Sequence, residues 1–258
     1  MKIERFKFAK TLGTGLVLCM PFVASATLYD AAADFSPTPN PSGVWAYGWS
    51  QTLGSAFNLD TTVNLSLGGV PGVVQWQGNQ PPGADGNPSV FENTTSSPQI
   101  IGSISMAANS LAFHPGSAGQ YSIVQFTAPS AGSYLISTTF QGDDFVGPTT
   151  TGVDVLVNGV TKFTGVVNGF ENVGNGPVPT YGASPFTSWS SSVVSLTKNE
   201  TVDFVVTTDG KFAYDSTGLT ADITSVVPEP ATIIAGALML LPFGASALRI
   251  LRRNCGII

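Results

Sequence analysis

The stretch that decides the fold is Val153-Asp154-Val155-Leu156-Val157-Asn158-Gly159-Val160-Thr161-Lys162-Phe163. Valines recur at every second position up to Asn158-Gly159, and a second apolar run follows the two turn residues. Alternation of this kind is typical of a β-strand with one buried face. Asn-Gly between two such runs is the strongest short-range signal of a tight hairpin. The stretch therefore predicts two antiparallel strands joined by a two-residue turn.

Similar strand signals lie on both sides of this hairpin. Alternation predicts strands around Tyr134, Ile136, Thr138 and Phe140, around Val202, Phe204 and Val206, and over 28–35, 43–49, 72–77, 99–105, 120–127, 188–196 and 217–226. No window longer than ten residues shows helical periodicity. Short strands between Gly, Pro and Asn turns predict an all-β region at 27–226, folded as an antiparallel β-sandwich or jelly roll.

Charge is sparse, and its distribution excludes one class of partner. The chain has 258 residues, of which 10% are charged, and a formal net charge of −6. Between 27 and 226 there are 14 acidic residues and no arginine, and the three basic residues are Lys162, Lys198 and Lys211. A nucleic-acid binder needs a basic face that neutralises phosphates. We therefore expect no nucleic-acid partner.

Residues 1–26 have the three parts of a secretory signal peptide. Four basic residues within the first ten are followed by an apolar run, 12–23, and then by the small residues Ala24-Ser25-Ala26. The apolar run is shorter than the roughly 20 residues that a membrane-spanning helix needs. The pattern predicts export and cleavage after Ala26 by signal peptidase.

The other end of the chain, 227–254, predicts a membrane segment. Pro228-Glu229-Pro230 precedes an uncharged run at 231–248, and Arg249, Arg252 and Arg253 follow it. As a helix this run would extend about 27 Å, just enough to cross the bilayer core. The arginines should stay cytoplasmic, which places 27–226 outside the cytoplasm. A plain anchor that remains in place is the alternative.

The order of these parts resembles the PEP-CTERM domain of Gram-negative bacteria, a segment also labelled the ice-binding protein C-terminal domain. The resemblance implies recognition by an integral-membrane exosortase, cleavage near Pro228-Glu229-Pro230, and transfer to the cell surface or release. It also implies association with exopolysaccharide in a biofilm matrix, because exosortase systems commonly accompany exopolysaccharide production. The label concerns sorting and does not imply contact with ice.

Part of the middle region resembles galactose-binding-like jelly rolls. The resemblance rests on the runs 111–116, 121–129, 131–134, 155–159 and 215–219. It implies a cell-surface or carbohydrate-binding module. Several modules of this kind carry a structural calcium held by acids from the first and last strands, and Asp34 and Asp215 occupy comparable positions here.

Aromatic residues offer a candidate sugar-binding surface. Trp45, Tyr47 and Trp49 stand at i, i+2 and i+4, so in a strand they project from one face. Exposed rings could stack on sugars, with Trp76 and Trp189 as further candidates. The alternative, which we favour, is that the rings fill the core, because large aromatics mostly pack inside sandwiches.

Acidic residues on predicted loops offer a candidate calcium site. Asp143, Asp144, Asp209 and Asp215, together with Asp34, supply the oxygen ligands that Ca²⁺ prefers. No EF-hand pattern is present in the sequence. The alternative is a set of solvated acids that keep the protein soluble.

Catalysis has little support in the sequence, and we predict no enzyme. His114 is the only histidine, and no G-x-S-x-G motif is present. The acids Asp143, Asp144, Asp154, Glu171 and Asp215 leave a paired-carboxylate polysaccharide hydrolase as an alternative. The sequence as a whole predicts an exported, exosortase-processed surface or matrix protein that associates with exopolysaccharide without catalysis. An ordinary membrane-anchored binding module is the other alternative.

Overall fold

The computed structural model describes residues 25–78, 86–174 and 176–226, and these residues form β-strands with one short 3-10 turn at Leu67–Gly69. The strands in chain order are β1 Leu28–Asp30, β2 Trp45–Ser50, β3 Asn58–Leu59, β4 Thr62–Asn64, β5 Val73–Gln77, β6 Ser89–Asn93, β7 Gln99–Ile101, β8 Ile104–Met106, β9 Ser110–His114, β10 Tyr121–Thr127, β11 Gly132–Gly142, β12 Thr149–Val157, β13 Val160–Phe170, β14 Tyr181–Ser184, β15 Phe186–Ser190, β16 Val194–Leu196, β17 Thr201–Thr208 and β18 Thr217–Val226.

Two antiparallel sheets and a hairpin contain these strands. Sheet I has the order β15-β11-β18-β9-β6-β5-β4, with β1 also paired to β18 and β16 to β11. Sheet II has the order β14-β13-β12-β17-β10-β2-β3. The hairpin β7–β8 forms a separate two-stranded unit. The predicted all-β antiparallel sandwich is confirmed for the described residues.

The main core lies between the two sheets, and the alternation seen in the sequence explains which residues form it. In each strand every second side chain points inward, so the valines of β12 face the inner residues of β11 and β18. Sheet I contributes Val90, Leu111, Phe113, Ile136, Phe140, Leu219 and Ile223, and sheet II contributes Trp45, Tyr47, Val124, Phe126, Val155 and Phe204.

The hairpin at Asn158-Gly159 forms as predicted. Asn158 has φ 50° and Gly159 has φ 72°, the two left-handed positions that a type I′ turn requires. Strands β12 and β13 pair from Val157↔Val160 outward, with one irregularity after Val155. Each apolar run therefore becomes one long strand of sheet II.

Three of the predicted strands are shorter than expected or divided. The run 99–105 is a hairpin, because Gly102 at φ 59° turns the chain between β7 and β8. The run 28–35 ends as a strand at Asp30, whose Oδ1 accepts the backbone N–H groups of Ala32 and Ala33 and starts a turn. The run 188–196 is interrupted after Ser190, where the chain leaves β15 and returns as β16.

Part of the outer face of sheet I is covered by other segments of the chain, and these segments form one wall of a cleft. The hairpin β7–β8 and the turn Leu67–Gly69 pack on β5, β6 and β9, and a second apolar cluster fills the space between them. The cluster contains Val73, Phe91, Ile101, Met106 and Ala112. The hairpin is also tied to the end of β11 through a bridge between Ile104 and Asp144.

Several predictions fall on residues outside the described ranges. They are the signal sequence 1–24 with Ala24, the motif Pro228-Glu229-Pro230, the segment 231–248 and the arginines Arg249, Arg252 and Arg253. Within the described part of the chain, no helix is long and apolar enough to cross a membrane.

Candidate functional site

Most of the aromatic candidates are core residues. Trp45 and Tyr47 have no exposed surface, and Trp76 is 7% exposed. All three project from the inner faces of their strands into the space between the sheets. Because a sugar can stack only on an accessible ring, these three cannot form the predicted stacking surface, and the core alternative is correct for them.

Trp49 and Trp189 are half-buried and do not extend this row to the surface. Trp49 lies at the end of β2 close to Gly78, where an added Cβ would come within 2.5 Å of its ring. Trp189 packs against the core and stacks on Phe163 with ring centroids 6.2 Å apart. The two rings lie on different sheets.

Three of the five proposed calcium ligands meet at one end of the sandwich. Asp144 Oδ2 accepts the backbone N–H of Ser216 at 2.7 Å, and Ser103 donates its hydroxyl to the same carboxylate. Asp215 Oδ1 accepts both the N–H and the hydroxyl of Thr150 at 3.1 Å. Asp143 donates its backbone N–H to the carbonyl oxygen of Ser216.

Burial raises the pKa of two of these carboxyls, Asp143 and Asp215. Desolvation raises the pKa of Asp143 well above its ordinary value, although a hydrogen bond from Gln141 opposes the rise. The pKa of Asp215 is raised to about 7, mainly by burial, and the neighbouring charges of Asp144 and Asp209 add to the shift. The second oxygen of Asp215, Oδ2, is buried without a hydrogen-bond partner.

The five proposed calcium ligands do not converge. Asp34 accepts a hydrogen bond from Trp45 Nε1. Trp45 is paired with Phe126 across β2 and β10, and Phe126 is paired with Val202 at the start of β17, so Asp34 lies near that end of β17. Asp209 follows the end of β17, about 20 Å away at the rise of a strand. Among the described residues, no group of three acidic, histidine or cysteine side chains is placed to hold a metal ion. The proposed five-ligand set is therefore wrong as a single site.

Two other acids of the hydrolase alternative lie elsewhere. Asp154 accepts a hydrogen bond from the hydroxyl of Thr164 at 2.6 Å on sheet II. Glu171 follows β13 and accepts from Thr180. Neither side chain has a hydrogen bond to Asp143, Asp144 or Asp215.

A cleft on the outer face of sheet I brings together residues that sequence reasoning had not selected, apart from His114. We call it the amide cleft, and its volume is about 190 Å³. It runs across β5, β6 and β9, and the covering hairpin contributes Ile104 to one wall. Its polar lining is Gln75, Gln77, Asn87, Ser89, His114 and Ser216. The buried Phe91 forms part of its wall, and the half-buried ring of Phe212 lies at its side.

His114 enters the amide cleft as a neutral ring. Its Nδ1 lies 2.8 Å from the carbonyl oxygen of Pro115, so Nδ1 carries the proton and donates. Burial lowers the pKa of His114, which keeps the ring neutral at pH 7. Nε2 is then an acceptor. The ring meets Phe212 edge-on at 4.8 Å, so the two side chains hold each other in place.

The two glutamines of the cleft give it donors and acceptors. Gln77 Nε2 donates to Gln75 Oε1 at 2.8 Å, which orients both amides and leaves Gln77 Oε1 as an acceptor. They project outward because Trp76, which lies between them in the strand, faces the core between the sheets. Two polar residues at i and i+2 in an otherwise apolar strand were the sequence signal for this face.

Comparisons with known proteins give distant likenesses only. No protein-family model and no curated protein matches the chain, so the resemblance to the PEP-CTERM domain gains no support from them. Among solved structures, the CBM51 module from Clostridium perfringens GH95, solved with methyl-galactose, is 10% identical with a TM-score of 0.34, covering 63% of this chain and 99% of that one.

Two further structures are similar to the same extent. A family 35 carbohydrate-binding module from Clostridium thermocellum is 12% identical with a TM-score of 0.25, covering 64% of this chain and 98% of its own. A cyclase from Fischerella sp. TAU is 11% identical with a TM-score of 0.32, and the match covers 61% of this chain and 87% of the cyclase chain. TM-scores this low establish neither a family nor a ligand.

Proposed function

We propose that the sandwich is a non-catalytic glycan-binding module whose binding site is the amide cleft. The observation that carries the proposal is the lining of this cleft: amides, hydroxyls and a neutral imidazole converge beside the half-buried ring of Phe212. Sugars present hydroxyls that both donate and accept, and apolar C–H faces that pack on rings. A site with a few fixed polar groups and apolar walls suits a ligand of that kind.

The size of the cleft favours a single sugar unit or a chain end. Its volume of about 190 Å³ is smaller than the roughly 300–1,000 Å³ typical of sites for drug-sized ligands. The preset amides reduce the entropy lost on binding, because Gln75 and Gln77 already orient each other. Phe212 closes the cleft from the side of the loop before β18.

Binding of monosaccharides to the purified protein, measured by titration calorimetry across a panel of neutral hexoses and amino sugars, tests this function. We expect Gln77→Ala to weaken the best ligand about tenfold, the effect of losing roughly 1.4 kcal/mol of interaction. Gln125→Ala is the matched control, since Gln125 is a half-buried glutamine on sheet II. Equal affinities for the two variants would contradict the assignment of the cleft.

Export and sorting form the second part of the proposal. We infer that the protein is exported, processed by an exosortase near Pro228-Glu229-Pro230, and then associates with exopolysaccharide at the cell surface or in the matrix. The mass and location of the mature protein in strains with and without an active exosortase test this. An intact C-terminal segment in both strains would leave an ordinary membrane-anchored module.

A further inference from the structure

The outer face of sheet I carries a second polar surface, on the side away from the amide cleft. Strands β15, β11 and β18 lie side by side there, and their outward residues are mostly serine and threonine. Thr139 is paired with Ser188 on one side and with Thr220 on the other. Ser137 is likewise paired with Ser190. We call these five residues the hydroxyl strip.

The hydroxyl strip is ordered and accessible. Thr139 Oγ1 lies 2.8 Å from Ser188 Oγ, and Ser137 Oγ lies 3.4 Å from Ser190 Oγ. Four of the five residues are exposed, and Thr139 is half-buried. Neighbouring strands place such groups about 4.8 Å apart, and alternate residues of one strand about 6.8 Å apart. The strip is thus a regular array of groups that both donate and accept hydrogen bonds.

A second cavity lies at one end of the hydroxyl strip. Its volume is about 280 Å³, and Thr220 belongs to both the strip and the cavity wall. Asp30, Ser110 and Gln141 add polar groups to the wall. Asp30 Oδ1 is held by the N–H groups of Ala32 and Ala33 in the turn that follows β1, and Oδ2 remains as a further acceptor.

An exposed ring lies beside the same strip. Phe186 is 53% exposed and is paired with Gln141, so it stands on the outer face next to Ser188. A large exposed aromatic side chain is a candidate contact for an apolar ligand face. Ring, hydroxyls and cavity therefore follow one another across the strands.

We propose that the hydroxyl strip, Phe186 and the second cavity form a second binding site, which holds a stretch of an uncharged polysaccharide chain laid across the strands. The inference rests on the proposed function for the class of ligand. An anionic chain is disfavoured because Asp222 lies beside Ser137 of the strip and opposite Asp30, and because residues 27–226 carry many more acidic than basic groups. An anionic polymer would meet repulsion there.

The second site is separate from the amide cleft. Strand β9 contributes to both, with His114 in the cleft and Ser110 in the second cavity, about 13 Å apart at the rise of a strand. The two cavities have no lining residue in common: Ile104 of the β7–β8 hairpin lines the first, and Ala107, which follows the hairpin, lines the second. One sandwich can therefore contact two points of a polymer, and such double contact strengthens binding without new chemistry.

Affinity electrophoresis of the purified protein through gels that contain galactomannan, hydroxyethylcellulose or alginate tests the proposal. We expect retardation by a neutral polymer and none by alginate. Thr220→Trp fills the mouth of the second cavity and Phe186→Ala removes the ring, and each should weaken the interaction with the neutral polymer about tenfold. Thr224→Trp is the control for Thr220→Trp, because Thr224 lies on the same strand and face but outside the cavity. Val193→Ala is the control for Phe186→Ala, because the two side chains are equally exposed.

The outcomes separate this inference from the proposed function. Retention of monosaccharide binding by Thr220→Trp, with loss of polymer retardation, supports two sites. If Thr220→Trp and Phe186→Ala are both retarded as strongly as the wild-type protein, and Gln77→Ala loses retardation, the second site is overturned and the amide cleft remains. Absence of both monosaccharide binding and polymer retardation in the wild-type protein overturns both.

Discussion

Asp60 lies where the chain crosses from β3 of sheet II to β4 of sheet I. Its side chain is 1% exposed, and neither carboxyl oxygen has a hydrogen-bond partner. Its backbone is well held, because Asn40 donates to the carbonyl oxygen of Asp60 and the N–H of Asp60 bonds to Tyr47. These backbone hydrogen bonds fix Asp60 at the crossing with its carboxyl buried, and burial raises the pKa of the carboxyl well above the ordinary value.

We expect Asp60→Asn to raise the melting temperature by several degrees at pH 8. A carboxyl whose pKa is raised in the fold lowers the stability of the protein progressively as pH rises above about 4, the pKa in the unfolded chain, and asparagine removes that loss. Thermal unfolding at pH 8 and pH 3.5 measures the effect.

At pH 3.5 the difference between Asp60→Asn and the wild type should nearly vanish, because the carboxyl is then protonated in both states. Asp209→Asn is the control for the loss of one exposed charge. Its effect at pH 8 should be smaller than that of Asp60→Asn, since Asp209 makes only a minor contribution to the raised pKa of Asp215. A lower melting temperature of Asp60→Asn at pH 8 would mean that the ionised carboxylate has a favourable partner in solution.

The aromatic candidates show what could be read from single residues. The spacing of Trp45, Tyr47 and Trp49 predicted correctly that they share one face of a strand. It could not tell which face is covered, because that depends on sheet I packing over β2, and the strands that do so, β5 and β6, are distant from β2 in sequence. The rings that do line the amide cleft, Phe91 and Phe212, come from unrelated segments and gave no pattern.

At the scale of elements, the β12–β13 hairpin depends on its turn. Gly159 has φ 72°, and a Cβ added there would meet no atom within 4 Å. The cost of Gly159→Ala is therefore conformational, about 1 kcal/mol for a left-handed alanine. Chemical denaturation should show this loss with an unchanged slope, and a loss above about 3 kcal/mol would mean that the turn is packed more closely than in this structure.

Gly142 provides a contrast at the end of β11. A Cβ there would lie 1.9 Å from the backbone carbonyl oxygen of Gly169, which cannot move without shifting β13. We expect Gly142→Ala to be destabilised by more than Gly159→Ala, by about 2–4 kcal/mol, the usual range of strongly disruptive substitutions. The same denaturation series compares the two variants, and equal losses would contradict the steric explanation.

The strands also show how far local pattern extends. The predicted strand 217–226 coincides with β18, and the Asn-Gly hairpin formed as expected. Gly102 turned the run 99–105 into a hairpin, although its apolar residues alone read as one strand. That hairpin then covers sheet I and makes a wall of the amide cleft, so the cleft depended on a contact between distant segments that periodicity does not encode.

For the whole molecule, the acidic groups are the dominant electrostatic feature. Asp60 and Asp143 have pKa values raised well above their ordinary value, and Glu92 and Asp215 are raised to about 7. Burial is the largest cause in every case, and no cationic group contributes to any of these four shifts. The scarcity of basic residues in 27–226 explains why the buried acids lack a positive partner.

We expect the protein to be more stable in mild acid than at alkaline pH. A carboxyl with a raised pKa in the fold contributes stability that is complete below its unfolded value, near 4, and is lost as pH rises through its folded value. For Glu92 and Asp215 that window is about pH 4 to 7. His114 has the opposite effect, because burial lowers its pKa, but it is one group against seven carboxyls with raised pKa values.

Thermal unfolding between pH 5 and pH 8 measures the balance. Because a loss of 1 kcal/mol lowers the melting temperature of a domain this size by roughly 2–4 °C, the four carboxyls together should lower it by several degrees. The double variant Asp60→Asn/Glu92→Gln should show a shallower fall, since two of the linked protons are gone. A melting temperature that rises from pH 5 to pH 8 would mean that the acids are ionised in the fold, and a bound cation would then be needed to explain how they are tolerated.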